Sequence, residues 1–184
     1  MEIRGLGDES STWVTYKSSA RCLGAIILTD LKDNEEIRGR MQKAVVLFGS
    51  MRANLMASKD VWNDVKRRVM IGMVLPTMLD GAENWIISAK LKRELESAYN
   101  KMIRSCLRMT SHTQRIHRIS TLEMLGKINL ENLQFYLDWK ILGYAGHVQR
   151  MKPERLPLMM VGAYLPGPRN IGAPCKTHQR QISQ

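Results

Sequence analysis

Apolar residues recur at spacings of three and four through most of this sequence, and that spacing places side chains on one face of an α-helix. A half-buried strand would instead place apolar residues at every second position. The pattern predicts a mainly α protein, a helical bundle of about five helices. It is clearest between residues 130 and 151, where one apolar seam comprises Leu130, Leu133, Leu137, Ile141, Tyr144 and Val148.

The same segment carries a second apolar stripe on its opposite side, formed by Phe135, Trp139 and Leu142. A helix that is apolar on two sides is normally buried between partners. Two interpretations follow: either this helix is central in the bundle, or the stripe meets a surface outside this chain. Self-association through these three residues is one form of the second interpretation.

Capping residues mark where the other helices begin. The runs 33–36 and 120–123 each place a capping residue three positions before a glutamate, which is the capping-box pattern, and Ser88 precedes a further amphipathic segment. The predicted helices cover 34–57, 60–76, 88–109, 120–126 and 130–151. In the second of these, the apolar face expected to be buried is Val61, Trp62, Val65, Val69 and Met73.

The two ends of the sequence depart from the helical pattern. Residues 12–16 and 26–29 contain strand-forming residues with a polar stretch between them, which predicts a short β-hairpin. After residue 152, proline and glycine are frequent, which predicts an irregular basic tail. The predicted organisation is a hairpin over 1–30, a three-helix region over 31–110, further helices over 111–152 and the tail over 153–184.

Positive charge is in excess and is unevenly placed. The sequence has 28 Lys and Arg against 17 Asp and Glu, a net charge of +11. No acidic residue occurs from Ser97 to Leu122, and on the helix after Ser88 the basic residues lie nearly opposite the apolar face. This favours a polyanion as partner, although a solvated helix face has the same pattern. The candidate phosphate-contacting residues are Lys90, Lys101, Arg104, Arg108, Arg115 and Arg118.

Motifs for catalysis or metal binding are weak in this sequence. No phosphate-binding loop is present, and no Asp-Asp pair offers the clustered carboxylates that two-metal polymerase or nuclease chemistry requires. Cys106, His112 and His117 are three candidate zinc ligands, but they lie in the acid-free basic segment, where a dication is disfavoured. The sequence therefore predicts anion binding without catalysis, with no metal or other cofactor.

The sequence also predicts an intracellular protein, in the nucleus or the cytoplasm. The first residues contain no apolar run of the kind found in signal peptides. The three cysteines are far apart in the sequence, which is typical of free thiols in a reducing compartment. The longest apolar stretch, residues 70–79, is too short to span a bilayer, so no membrane partner is expected.

Several short motifs, in order, resemble the downstream part of reverse transcriptases from non-LTR (LINE-type) retrotransposons. Residues 23–27 (LGAII) resemble the strand and turn that form the primer grip, and residues 33–40 (DNEEIRGR) resemble the start of the thumb helices. Residues 74–85 (VLPTMLDGAENW) and 146–151 (GHVQRM) match two further motifs of that family, and residues 155–174 match its proline-rich and glycine-rich tail.

This resemblance implies a polymerase thumb and the helices after it, which grip the template–primer duplex behind the catalytic palm. The palm aspartates that hold Mg²⁺ in the family have no counterpart in this sequence. The chain is thus expected to be a truncated or degenerate fragment, not an enzyme on its own, whose partner is RNA or DNA template–primer. The resemblance implies four further nucleic-acid-binding residues: Leu23 and Gly24 in the hairpin turn of the palm remnant, and His147 and Arg150.

The sequence departs from the family pattern at four positions. Cys22 and Asp80 stand where the family has tyrosine, and Gly143 and Ala173 stand where it has arginine. Two of these changes remove positive charge. An alternative function therefore stays open, in which the chain is a protein-interaction fragment with no role in nucleic-acid binding.

Overall fold

The computed structural model describes residues 34–85 and 87–162, together with the backbone of four short strands before residue 34. Strand β1 (Glu2–Ile3) pairs antiparallel with β2 (Thr12–Trp13), and β3 (Ser19–Cys22) pairs antiparallel with β4 (Ala25–Leu28). A hairpin ending at β4 was predicted, but its first strand lies at Ser19–Cys22 and not at 12–16. Only two residues separate β3 from β4, so the first strand of this hairpin is formed by part of the polar stretch that was expected to lie between the two strands.

The rest of the described chain is helical, which confirms the predicted class. The long helices are α1 (Asn34–Met51), α4 (Ala89–Cys106) and α7 (Leu133–Gln149). The shorter ones are α2 (Asn63–Val69), α3 (Leu75–Met78), α5 (Ser111–Ile116), α6 (Thr121–Gly126) and α8 (Leu156–Gly162). One-turn π-helices at Arg52–Met56 and Met70–Val74 extend α1 and join α2 to α3.

Side-chain caps fix where the helices begin. The Ser88 hydroxyl accepts a hydrogen bond from Leu91 N at the start of α4, as predicted. Ser120 and Glu123 form a complete capping box at α6, also as predicted. Thr110 and Asn132 cap α5 and α7 in the same way. These polar side chains satisfy amide groups that would otherwise have no partner in the first helical turn.

Pro76 lies inside a helical run that it was expected to end or kink. The π-helix at Met70–Val74 leads directly into α3, and Pro76 is the second residue of α3, just after the change from π-helix to α-helix. The helical run ends two residues later at Met78. Gly81, with φ of +78°, makes the turn after it, at a backbone conformation that favours glycine. The Asp80 carboxylate pairs with Arg40, so this departure from the family pattern has a partner on α1.

One continuous core joins the helices. It is aliphatic and rich in methionine, with Tyr99, Phe48 and Trp85 as the large aromatic residues. Helix α4 contributes Leu91, Leu95, Tyr99, Met102, Ile103 and Cys106. Helix α7 contributes Leu133 and Leu137; its Ala145 and Val148 are buried as well, while Ile141 and Tyr144 of the predicted seam are half-buried.

The predicted buried face of α2 was wrong. Trp62 is 82% exposed, and Val65 and Met73 are also exposed. The buried residues of this segment and its continuation are instead Lys66, Met70, Val74, Leu75, Met78 and Leu79, of which Lys66, Met70, Val74 and Met78 recur every four positions. The Lys66 side chain is 3% exposed, and its Nζ donates hydrogen bonds to Ser58 O at 2.8 Å and Cys106 O at 3.1 Å. A lysine therefore occupies a core position because carbonyl groups of two other segments surround its ammonium group.

The predicted irregular tail was wrong for Leu156–Gly162, which form α8. Pro157 is the second residue of this helix, in the first turn where proline is tolerated. The remaining residues of the predicted tail, 163–184, lie outside the described residues, as do Cys175 and Ala173.

Candidate nucleic-acid interface

A groove of about 660 Å³ lies between the C-terminal halves of α1 and α4. Val45, Phe48, Met102 and Met109 give it an apolar floor. Its basic lining residues are Arg52, Lys101 and Arg104, and its hydroxyl groups come from Ser105, Thr110 and Ser111; no acidic residue is among the described residues that line it. A negatively charged ligand entering this groove would meet cations and neutral groups on those residues.

A second, shallower depression of about 500 Å³ continues this groove toward the start of α4 and shares Ala98 and Lys101 with it. Its other basic lining residues are Lys90 and Arg93, and within the described part of the chain its acidic lining residue is Glu94. Glu94 is paired with Arg38 of α1, with Arg38 Nε at 3.2 Å from Glu94 Oε2. The α1–α4 groove, meaning both depressions, therefore carries five cations along one side of the bundle.

Two side-chain contacts fix α1 and α4 beside each other, one near each end of the groove. Arg38 reaches Glu94, and Arg52 Nε donates to Ser105 Oγ at 3.0 Å. On both helices the second contact lies further along the chain than the first, so α1 and α4 run in the same direction. At a rise of about 1.5 Å per residue, the contacts on α4 lie roughly 16 Å apart along its axis. The groove is therefore long enough to follow several nucleotides.

Two helix junctions follow the groove, and each carries an exposed arginine in the left-handed backbone region. Arg108, between α4 and α5, has φ of +56°, and Arg118, between α5 and α6, has φ of +50°. Arg115 is exposed on α5, between them. None of these three guanidinium groups has a hydrogen-bond or ion-pair partner among the described residues. Five basic residues of the acid-free segment, from Lys101 to Arg118, thus lie along α4, α5 and their junctions.

The structure brings some of the sequence-predicted residues together and separates others. Lys90, Lys101 and Arg104 line the α1–α4 groove, and Arg108, Arg115 and Arg118 lie on the two junctions and the helix that follow it. His147 is in the last turn of α7 and Arg150 follows it; neither lines the groove. Leu23 and Gly24 lie outside the described residues.

Arg52 and Arg93 also line the groove and were not predicted from the sequence. Arg52 lies in the π-helix that extends α1, and no charge pattern on α1 indicated that this end of the helix faces α4. Arg93 follows Lys90 by three positions on α4, so helical spacing was a usable signal.

The candidate zinc ligands are not brought together. Cys106 is 1% exposed in the core, whereas His112 and His117 are exposed on α5 and at its end. Burial raises the pKa of the Cys106 thiol to about 12, and the neighbouring Lys66 charge offsets only part of that effect. Among the described residues, no three His, Cys, Asp or Glu side chains are grouped so that they would hold a metal ion.

The outer stripe of α7 is exposed, so α7 is not the doubly buried central helix of the first interpretation. Phe135, Trp139 and Leu142 are 46%, 70% and 54% exposed. The Phe135 and Trp139 rings are neighbours, with centroids 6.2 Å apart. At the end of the helix, a Cβ on Gly146 would lie 3.5 Å from Arg150 Nη1, so the guanidinium group folds back over this glycine.

No protein-family model matches the chain, and neither a curated protein nor a solved structure matches it. Within residues 34–85 and 87–162, no helix has the length and apolar character needed to cross a bilayer.

Proposed function

We propose that this chain is the thumb and post-thumb part of a retrotransposon RNA-directed DNA polymerase, and that it binds template–primer nucleic acid without carrying out catalysis itself. The observation that carries this proposal is the α1–α4 groove. Among the described residues, five cations line it, the acidic lining residue Glu94 is paired with Arg38, and exposed arginines without a described partner lie on α5 and its two junctions. A duplex backbone is a polyanion of matching length and sign.

The order of the family-like motifs supports the same proposal. The segments that resemble the start of the thumb, residues 33–40, and its second motif, residues 74–85, belong to α1 and to the α3 region that packs against α1. Within these 184 residues no Asp-Asp pair is available to hold catalytic metal ions. The proposed role is therefore to hold the duplex, while carboxylates of a polymerase palm would carry out the chemistry.

The salt dependence of binding tests this proposal. Neutralising about five phosphates gives a slope near −4.5 in a plot of log affinity against log salt, which corresponds to a roughly 500-fold loss between 50 and 200 mM. We expect this slope in fluorescence anisotropy with a labelled primed template. If the chain does not bind at 50 mM salt, or binds with a slope near zero, the proposal is wrong.

The exposed stripe of α7 favours a second candidate function, namely protein interaction through Phe135, Trp139 and Leu142. Three adjacent large apolar side chains on one helix face are expensive to leave in water. Self-association or docking on another polymerase segment would cover them. This candidate requires no nucleic acid, and the two functions are separable because they use different helices.

A further inference from the structure

Two successive helix junctions in this chain have the same backbone pattern. Each residue of the first junction corresponds to the residue ten positions later in the second. At the first junction, Met109 N donates to Arg104 O at 2.8 Å, and at the second, Ile119 N donates to Gln114 O at 3.0 Å. In each case the arginine just before the donor adopts the left-handed conformation, and the residue just after the donor is the hydroxyl cap of the next helix. The repeated sequence is Arg-Met-Thr-Ser at 108–111 and Arg-Ile-Ser-Thr at 118–121.

A third junction of the same type shows what this backbone prefers. Between α6 and α7, Leu130 N donates to Leu125 O at 3.1 Å, and the left-handed residue is Asn129, with φ of +54°. Glycine and asparagine adopt this conformation readily, whereas other L-residues are disfavoured there because Cβ approaches a backbone carbonyl oxygen. The first two junctions therefore carry arginine at a position that favours asparagine or glycine.

The arginine side chains are not explained by contacts within the described chain. Arg108 and Arg118 are exposed, and neither has a hydrogen-bond or ion-pair partner among the described residues. Gln114 holds the two junctions in a fixed relation: its Oε1 accepts from Arg104 Nη1 at 3.3 Å, and its Nε2 donates to Ile119 O at 3.2 Å. Arg108 and Arg118, which have no partner within the described chain, thus extend from two junctions that Gln114 joins, and the backbone conformation at both is unfavourable for arginine.

We infer that Arg108 and Arg118 form a two-part phosphate-binding element, in which a strained backbone is kept because each side chain contacts a backbone phosphate of nucleic acid. This inference rests on the proposed function and identifies where two of the phosphates are held. Helix α5, which separates the arginines, has six residues and is about 9 Å long. That length is comparable to the rise of two or three nucleotides along the duplex axis, at about 3.4 Å each.

Replacing both arginines by asparagine tests the inference, because stability and binding should move in opposite directions. The Arg108→Asn/Arg118→Asn variant of the full chain should melt about 2–4 °C higher than the unsubstituted protein, since strain is relieved. On a labelled 20-base-pair DNA duplex, its salt slope should be smaller by about 1.8, and its affinity at 100 mM salt should be roughly sixtyfold lower. The Arg108→Lys/Arg118→Lys variant keeps the charge and should keep most of the slope.

Two control variants separate charge from strain. Lys59→Asn/Lys140→Asn removes two exposed charges that do not line the groove or the junctions, and it should leave the salt slope unchanged. Asn129→Gly alters the third junction without a change of charge, and it should leave duplex binding unchanged.

Each contrary result has a distinct meaning. A higher melting temperature with an unchanged slope would show that the arginines do not bind phosphate, while salt-dependent binding by the unsubstituted chain would leave the proposed function standing. A smaller slope with a lower melting temperature would show that the arginines are not strained, and would overturn the inference. Absence of binding by the unsubstituted chain at 50 mM salt would overturn both proposals.

Discussion

Helices α4 and α7 have nearly the same length, 18 and 17 residues, yet their outer faces have opposite chemistry. Each packs one apolar face into the common core, and Tyr99 of α4 links them by donating a hydrogen bond to Glu131 O, just before α7, at 2.8 Å. The outer face of α4 carries Lys90, Arg93 and Lys101, whereas the outer face of α7 carries Phe135, Trp139 and Leu142.

This difference shows how differently two exposed helix faces depend on a partner. The cations of α4 are well solvated in the free protein, so their face is stable in water and gains a partner only when a polyanion displaces counterions. The apolar stripe of α7 remains in contact with water, and covering a side chain the size of Trp139 is worth about 1.5–3 kcal/mol. The outer face of α4 is suited to reversible, salt-sensitive binding, and the outer face of α7 is suited to a partner that stays bound.

Removing the cations of the α1–α4 groove is expected to have the largest effect. The Arg52→Gln/Lys101→Gln/Arg104→Gln variant should bind primed template roughly 10²–10³-fold more weakly at 100 mM salt, with a slope smaller by about 2.7. Titration by fluorescence anisotropy measures both values. A Lys59→Gln/Lys127→Gln/Lys140→Gln variant loses the same charge at exposed positions outside the groove. If the two variants lose the same affinity, the cations of the groove contribute no more to binding than cations elsewhere on the surface, and the proposed role of the groove is wrong.

A substitution of Lys66 tests whether its hydrogen bonds in the protein interior stabilise the end of α4, which forms part of the groove. Lys66→Met should lower the free energy of unfolding by about 2 kcal/mol, because Ser58 O and Cys106 O both lose a charged donor in the protein interior. Urea denaturation measures the change, and Lys59→Met, at an exposed position, should change stability by less than about 0.5 kcal/mol. If Lys66→Met is as stable as the unsubstituted protein, the ammonium group does not stabilise the end of α4.

Trp139→Glu tests the outer face of α7. If two copies pair through this stripe, the substitution should weaken self-association at least about tenfold, because it replaces the largest contact with a charge. Duplex binding should change little. Light scattering over a concentration series distinguishes the oligomer from the monomer, with Lys140→Glu on the same helix as a control for charge. An unsubstituted protein that stays monomeric at all concentrations contradicts self-association.

Cys106 on the buried face of α4 is expected to have the smallest effect. The thiol of the unfolded chain ionises above pH 8.5 or so, whereas burial raises the native pKa to about 12. The native state therefore retains a proton that the unfolded state loses, and stability falls as the pH rises above 8.5. At pH 9.5 this loss amounts to about 1 kcal/mol and should be absent in Cys106→Ala. Parallel pH dependence in the two proteins would show that the thiol is not buried as described.

The helix starts and the main seam of α7 were accessible from the sequence because they depend on local chemistry. Ser88, Ser120 and Glu123 cap neighbouring amides, so the residues that decide each helix start are a few positions apart. Leu133 and Leu137 belong to the longest run with helical spacing, so their burial could be predicted from the sequence. The basic residues Lys90, Lys101 and Arg104 were also found, since helical spacing alone placed them opposite the apolar face.

Features that depend on distant partners were not accessible in this way. Nothing in the local sequence indicated that Lys66 is buried, because the carbonyl groups that accept its hydrogen bonds belong to residues 58 and 106. Trp62 lies just before the first residue of α2 and is exposed, although Lys66, one turn later, is buried, so helical spacing did not predict the outward position of the Trp62 side chain. The left-handed arginines had no signal, since arginine does not favour that conformation. Arg52 joined the groove only because α1 runs beside α4.

The three junctions after α4 also bear on how fast this region folds. Their hydrogen bonds join residues three to five positions apart, as in Arg118 N to Arg115 O and Ile119 N to Gln114 O. Low contact order of this kind favours rapid formation. Longer links, such as Asn63 Nδ2 to Lys127 O and Arg67 Nε to Asn129 O, and the buried side chains of Met124 and Leu125 attach this region to earlier helices. We therefore expect the junctions to form early from their local hydrogen bonds, and α6 to pack into the core afterwards, when the longer links form.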